Sequence, residues 1–419
     1  MEPTPKAPYL LLWSASDEER ESRRRHALRR YLTLDDEPDR LPRAVRLAHR
    51  RRGLDPVRGA VVADSVDEAV QELAEQPRHH TPQQRPVALL FPGQGTQHRA
   101  MATGLYGYEP LFTQALDQVF AAFGREGYRL RDEWLSGDPD VPLDDATRAQ
   151  PLLFGVGYAL GRMVLGWGVV PAALLGHSVG ELVAATLAGV FTLPDAVRVL
   201  RDRIDAAVAT GPGGMLAVAA PAGELEGYLP AGGQVAVAAV NAPRQTLLAG
   251  PDPQLREVEE KLRADGFTCR RAAARQAFHS PVMDRAAERA RPLVAAVRPG
   301  APAWPLYSAY TGAALDAARA ARPGFWARQV ADPVLFWPAL DALLGSGRHL
   351  LLEAGPGQGL TTIARQHPAV RSGDSAVVSL LPARPGPPDE DRRTLLTAAG
   401  RLWLEGHVPE LTGPRADCL

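Results

Sequence analysis

Gly176-His177-Ser178-Val179-Gly180 decides how the rest of this chain is read. It follows an apolar run ending in Leu174-Leu175 and precedes a helical pattern that begins at Glu181. A strand, a sharp turn and a helix in that order let a serine occupy a strained turn with its hydroxyl exposed, because small residues on both sides permit the bend. The pentapeptide alone arises by chance in a chain with 39 glycines. Its flanks are what make Ser178 the candidate nucleophile.

The composition around this turn is that of a folded protein. At 419 residues, 45% hydrophobic and 23% charged, the chain can form two or three domains with a sizeable core. Forty-seven basic residues against 48 acidic ones leave no global field that would draw it to nucleic acid or anionic lipid, so neither is expected as a partner. Only Cys269 and Cys418 are present, too few for a disulfide framework, which suits a reducing cytoplasm. No run approaches the roughly 20 apolar residues of a membrane span, and Met1-Glu2-Pro3-Thr4-Pro5 lacks a signal-peptide pattern. A cytoplasmic location is expected. All basic residues but Lys6 and Lys261 are arginine, a bias of a GC-rich genome and no sign of function.

Three segments follow from the patterning. Residues 1–85 read as a small α/β unit: a strand at 9–13, helices at 17–31, 41–51 and 66–73, a strand at 59–62, and a polar closing stretch at 76–85. At Val87-Ala88-Leu89-Leu90-Phe91 a buried strand runs into Pro92-Gly93-Gln94-Gly95-Thr96-Gln97. From there strands alternate with helical patterns at 150–164, 181–188 and 196–207, which predicts a hydrolase-like, mainly parallel sheet with helices on both faces over 86–380. Between 214 and 277 the rhythm changes to short strands (215–219, 234–240, 246–249) around helices at 223–228 and 253–265, an inserted ferredoxin-like α+β subdomain. Residues 381–419 read as a proline- and charge-rich linker followed by an amphipathic helix at 393–404. The fold class expected is therefore α/β.

A serine nucleophile needs a base. His279 stands in Gln276-Ala277-Phe278-His279-Ser280-Pro281, where Ser280-Pro281 reads as a helix start that would hold the imidazole beside the core. A lone histidine of this kind is more often a packed or solvated residue than a base. The remaining motifs alter that balance. Phe91 to Gln97, Gln150-Pro151, Gly176 to Glu181, Arg203, Asn241-Ala242-Pro243, Ala277 to Pro281 and Gly355-Pro356-Gly357 stand in the order and spacing of one family. Over about residues 87–380 the chain resembles malonyl-CoA:acyl carrier protein transacylases, most closely the acyltransferase domains of modular polyketide synthases. Residues 1–85 and the segment up to Gly406 resemble the linkers that flank such domains. The resemblance implies a free-standing acyltransferase with its linkers, or a piece of a synthase.

Carried over residue by residue, the resemblance implies that Ser178 attacks a thioester and holds the acyl group as an ester, with His279 as general base and acid. It implies an oxyanion hole from the backbone N–H groups of Gln94 and Val179, and a main-chain carbonyl at Gln329 that orients the imidazole. Arg203, twenty-five positions after Ser178, would hold the free carboxylate of a malonyl group, since a guanidinium fork fits a carboxylate bidentately. By itself it reads as a surface arginine on an amphipathic helix. Gln150 would line the same pocket, although a polar helix cap suits it equally. Asn241 fits a turn before Pro243 and is left out of the site. No cofactor is expected on the chain; the implied substrates are an acyl-CoA and the phosphopantetheine of an acyl carrier protein, with a polyketide synthase served in trans as a further partner.

Phe278 would press on an α-substituent of the acyl group, which favours malonyl, and Val179 after the serine agrees. Gln276 and Arg275 depart from the resembling motif and leave an unusual α-substituted extender unit open. A hydrolase, either an acyl-thioester hydrolase of this fold or an α/β-hydrolase using His349 or His367, is the rival enzyme reading. A noncatalytic docking module is the rival from another class. Gly211 to Gly214 and Gly355 to Gly359 lack phosphate-loop endings and read as turns. Arg23 to Arg25 and Arg50 to Arg52 read as solvated helix faces or as contacts for an acidic carrier protein. No cluster has metal-ligand spacing.

Overall fold

The computed structural model describes residues 8–34, 39–50, 55–75, 79–80, 84–138 and 140–411. The expected polar closing stretch, the run at Arg50 to Arg52 and Cys418 fall partly or wholly outside them.

Strand β1 (Tyr9–Ala15) serves two cores at once. Successive side chains of a strand point to opposite faces. Leu10 and Leu12 enter the largest core, whereas Leu11 and Trp13 pack with Leu32, Leu41, Val45 and Leu73 from the helices Glu18–Leu32, Arg40–Arg50 and Val66–Glu75. β1 pairs antiparallel with β2 (Val57–Ala63), and β2 with β3 (His79–His80).

The central sheet begins with β4 (Val87–Phe91), buried at every position, and β5 (Ala173–Gly176), its parallel neighbour with Phe91 opposite Gly176. Between β5 and the rest of that sheet lie β6 (Gly213–Val218), β7 (Ala236–Ala242), β8 (Gln245–Pro251) and β9 (Cys269–Arg271), an antiparallel sheet in the order β7-β8-β6-β9. With helical segments after β6 and β8 this is the ferredoxin-like arrangement. β10 (Leu306–Ser308), β11 (Ala313–Ala314), β12 (Leu350–Glu353) and β13 (Ala376–Ser379) complete the central sheet in the order β11-β10-β5-β4-β12-β13. Every pair in it is parallel except β10-β11. Leu89, Phe91, Leu174 and Leu352 face one helical layer, and Ala88, Leu90, Leu175 and Leu351 face the other. The architecture is α/β, as the alternation of strand and helix patterns predicts.

The structure differs from these expectations in four places. Helices Pro110–Phe123 and Arg125–Ser136 were not anticipated, although Pro110 stands at a helix start and Gly124, at φ 65°, divides the two. β9 was missed because Cys269-Arg270-Arg271 has no apolar alternation; it is an edge strand, paired only to β6. Gly213-Gly214, read as part of a turn, opens β6. The expected linker is also shorter than its composition suggested. Helix Pro388–Leu404 starts inside it, because a proline in the first turn and acids at Asp389, Glu390 and Asp391 favour a helix N-terminus.

That helix lies against β1, β2 and β13. Trp403 is fully buried, its indole N–H donates to the Trp13 carbonyl at 3.2 Å, and the Arg58 guanidinium lies 4.4 Å over its ring. Removing a buried tryptophan from a core costs about 3–5 kcal/mol. Trp403→Ala should therefore lower the urea midpoint strongly, and a loss under about 1 kcal/mol would show that the helix is peripheral to stability.

Candidate active site

Ser178 caps helix Val179–Leu187 with φ 53° and ψ −116°, a conformation that L-residues rarely adopt. The chain accepts it because the residues two positions away on either side, Gly176 and Gly180, have no side chains. A Cβ at Gly176 would lie 2.2 Å from the Glu181 nitrogen, and one at Gly180 would lie 2.1 Å from the Phe91 carbonyl oxygen. Gly180 N–H donates to His177 O and Glu181 N–H to Ser178 O, both at 2.9 Å. The Val179 N–H, at the first helical position, has no intrahelical acceptor and stays available beside the serine. The loop carrying Gln94 is held opposite by its side chain: Gln94 Nε2 donates to the Asp144 carbonyl at 3.0 Å, and Gln94 Oε1 accepts from Gln150 Nε2 at 3.1 Å.

His279 also has a positive φ, 61°, and its N–H donates to the Val330 carbonyl at 2.8 Å. Its Nε2 lies 2.8 Å from Ser178 Oγ, and its Nδ1 lies 3.0 Å from the Asp332 carbonyl oxygen. A carbonyl can only accept, so the proton sits on Nδ1 and Nε2 is free to accept from the serine hydroxyl. The orienting hydrogen bond is thus made by Asp332. The resemblance pointed to Gln329, whose carbonyl also faces the ring but contributes less. Burial, reinforced by the neighbouring His177, lowers the imidazole pKa to about 4. The ring is neutral at pH 7, as a base must be.

Arg203, on helix Leu193–Val208, is 7% exposed and is not a surface residue. One guanidinium nitrogen, Nη2, donates to the Trp326 carbonyl at 2.6 Å and to Gln329 Oε1 at 3.1 Å. Its Nε has no acceptor among the described residues. Gln329 Nε2 in turn donates to Glu181 Oε1 at 3.0 Å. Glu181 is fully buried and also accepts from Ser308 Oγ at 2.6 Å and Ala309 N–H at 2.8 Å. Burial pushes its pKa up to about 8, against the opposing pull of these donors and of Arg203.

A cleft of about 500 Å³ opens over Ser178 and His279 between the central sheet and the ferredoxin-like sheet. Gln94, Gln150 and Phe278 line it. Gln150 is inside helix Ala146–Gly166, whose cap is Asp145, so the capping alternative fails. Arg203 and Gln276 are not among the described residues of the cleft wall. Asn241, left out on sequence grounds, does line it, and its Oδ1 accepts from His177 Nε2 at 2.8 Å, tying β7 to the elbow. Sequence reasoning missed Asp332 and the role of Glu181. Nothing local marks a backbone carbonyl or a carboxyl that burial will enclose. His349 and His367 are hydrogen-bonded to Gly347 and Asp341, away from the serine. Among the described residues no acidic, histidine or cysteine cluster could hold a metal, and no helix is long and apolar enough to cross a membrane.

A neutral histidine within hydrogen-bonding distance of an elbow serine, at the carboxyl end of a parallel sheet and under a ferredoxin-like insert, defines an acyl-transfer class of α/β enzyme. Residues 88–407 match the model of the acyl transferase domain, and the chain belongs to that family. It is 35% identical over 420 residues to a phenolphthiocerol/phthiocerol polyketide synthase polypeptide of Mycobacterium tuberculosis. The alignment takes in 96% of this chain but 28% of that protein, so the chain spans little more than a quarter of this curated relative. Among solved structures, the acyl transferase domain of SpnD in complex with 2-(pent-4-yn-1-yl)malonyl superposes with a TM-score of 0.84 at 30% identity, covering 96% of this chain and 98% of that one. The malonyl CoA-acyl carrier protein transacylase of Coxiella burnetii shares the fold, with a TM-score of 0.64 at 24% identity over 76% of this chain and 98% of its own.

The burial of His279 has a direct readout. In a pH titration followed by NMR its ring resonances should move with a midpoint near 4, more than two units below the ordinary histidine value of about 6.5. A midpoint at or above 6 would mean that the imidazole is solvated and the cleft open to water.

Proposed function

We propose that this acyltransferase moves a malonyl-type extender unit from coenzyme A, through an ester on Ser178, to the phosphopantetheine thiol of an acyl carrier protein in polyketide biosynthesis. The observation that carries the reading is the 2.8 Å contact between Ser178 Oγ and a neutral His279 Nε2. His279 takes the serine proton as Oγ attacks the thioester carbonyl, the C–S bond breaks, and the same proton goes to the departing coenzyme A thiolate. In the second half His279 deprotonates the pantetheine thiol, sulfur attacks the ester carbonyl, and Ser178 leaves with that proton. The N–H groups of Gln94 and Val179 would meet the oxyanion in both halves, each such donor being worth about 3 kcal/mol.

The acyl group is selected by its carboxylate and by its α-substituent. Arg203 is buried beside the dyad with its Nε uncommitted, which suits it to an incoming carboxylate. Phe278 stands on the cleft wall and supports malonyl over bulkier units. An α-substituted malonyl unit is the second reading, favoured by the substituted malonyl group carried by the SpnD domain. Competition between malonyl-CoA and methylmalonyl-CoA for loading separates the two. The carrier protein, and a synthase served in trans or in the same polypeptide, are the partners this chemistry requires.

Incubated with malonyl-CoA, the protein should gain one malonyl adduct by intact mass spectrometry, absent in Ser178→Ala. An adduct that persists in that variant removes Ser178 from the mechanism. His279→Ala should slow transfer by several orders of magnitude, as loss of the base does in other serine acyl-enzymes.

Arg203→Ala should weaken malonyl transfer by about 2–5 kcal/mol, the cost of breaking a charge pair in a dry pocket, while acetyl transfer is spared. Equal losses for acetyl-CoA and malonyl-CoA would show that Arg203 only supports the helix it sits on.

A further inference from the structure

We infer that the guanidinium of Arg270, at the rim of the cleft, binds the phosphate of the pantetheine arm, a group that coenzyme A thioesters and acyl carrier proteins have in common. The inference rests on the acyl-transfer reading above and specifies how both of its substrates are held.

The register of the ferredoxin-like sheet sets Arg270 on the cleft wall. Arg270 on the edge strand β9 stands opposite Ala217 on β6, and Ala217 stands opposite Leu247 on β8. Directly opposed residues share one face of a sheet, and all three line the cleft. Leu360 and Ile363 of helix Gly359–Ala364 are also on its wall. These apolar side chains suit the methylene and methyl groups of the arm, and the row ends in a cation. Arg270 is exposed, and among the described residues no hydrogen bond or ion pair engages its guanidinium. Its neighbour Arg271 is committed, donating to Glu259 at 2.6 Å and to Asp252 at 3.3 Å. The acid among the described cleft residues, Asp144, accepts from Gln97 at 2.7 Å.

The span also fits. At the opposite edge of this sheet, Asn241 on β7 accepts from His177, the residue before the nucleophile, at 2.8 Å. β7 and β9 are three inter-strand steps apart in the order β7-β8-β6-β9, about 14 Å at about 4.8 Å per step. The pantetheine arm has about a dozen bonds between sulfur and phosphorus, roughly 15 Å at the reach of an extended backbone. A thioester whose carbonyl meets Ser178 therefore carries its phosphate to the rim where Arg270 stands. There the planar fork of a guanidinium can meet two phosphate oxygens at once.

The test uses the whole chain and measures each half of the reaction with and without the phosphate. Formation of the Ser178 ester is followed with malonyl-CoA and with malonyl-pantetheine, and its discharge with phosphopantetheine and with pantetheine. Arg270→Ala should raise the half-saturating concentration of the two phosphate-bearing substrates about 5- to 20-fold, as for a charge-assisted pair weakened by exposure to solvent, with maximal rates and both phosphate-free substrates unchanged. Arg270→Lys, which keeps the charge without the fork, should recover part of the loss. Equal effects on phosphate-bearing and phosphate-free substrates, or no effect on either, overturn the inference. A response in one half-reaction alone also overturns the shared site: with malonyl-CoA alone Arg270 belongs to the nucleotide end of coenzyme A, and with phosphopantetheine alone to the carrier arm. If the unmodified chain forms no malonyl ester on Ser178, it is the acyl-transfer reading that has failed, and this is seen before any Arg270 variant is compared.

Discussion

The strained backbone at Ser178 is the constraint on which the rest of the structure depends. A residue held at positive φ costs on the order of 1–3 kcal/mol and persists only where its surroundings leave no alternative. Here the alternative is excluded by contact: the Phe91 carbonyl is so close to Gly180 that neither chain can relax without parting β4 from β5. His279 is strained in the same sense, and the Val330 and Asp332 carbonyls hold it in place. Two strained residues from different segments thus point their reactive atoms at each other across 2.8 Å. The central sheet supplies the rigidity, and the ferredoxin-like sheet closes the cleft above through the bond between His177 and Asn241.

Behind the dyad lies a buried polar chain running from Ser308 through Glu181 and Gln329 to Arg203. Burying ionised groups is costly unless each is paired and hydrogen-bonded. Burial pushes the Glu181 carboxyl above the ordinary carboxylate range, and it accepts from Ser308, Ala309 and Gln329, so it serves there as a hydrogen-bonding hub. Arg203 is left with an Nε that has no acceptor among the described residues. Such an arginine gains most from an anionic ligand. The same network positions Gln329, whose side chain bridges the buried acid and the buried base.

Much of this was legible before folding. Five consecutive buried residues at 87–91 and the elbow at 176–180 mark the sheet; Ser178 is nominated by its own flanks, whereas His279 is nominated only by the other motifs in register with it. The change to short strands between 214 and 277 also announced the insert. What escaped were features without a local pattern. The carbonyl 3.0 Å from the imidazole Nδ1 belongs to Asp332, three residues beyond Gln329, whose carbonyl the resemblance implied and which also faces the ring. The prolines and acids before Thr394 looked like a linker but are the first turn of a helix, since the same residues serve both.

Sequence by itself determined the elements that depend on near neighbours: the buried strands, the glycines that permit the elbow, the helix starts, and Ser178 as the candidate nucleophile. Tertiary structure alone decided what those residues meet. Arg203 reads as a surface residue on its helix and becomes a buried cation because Trp326 and Gln329, more than 120 positions away, close over it. Tyr310 has no motif and comes to stand beside His279, with ring centroids 6.0 Å apart, only because distant segments pack together. The physical reason is that spacing along a chain fixes backbone conformation and facing, whereas burial, charge balance and reach depend on which distant segments pack together.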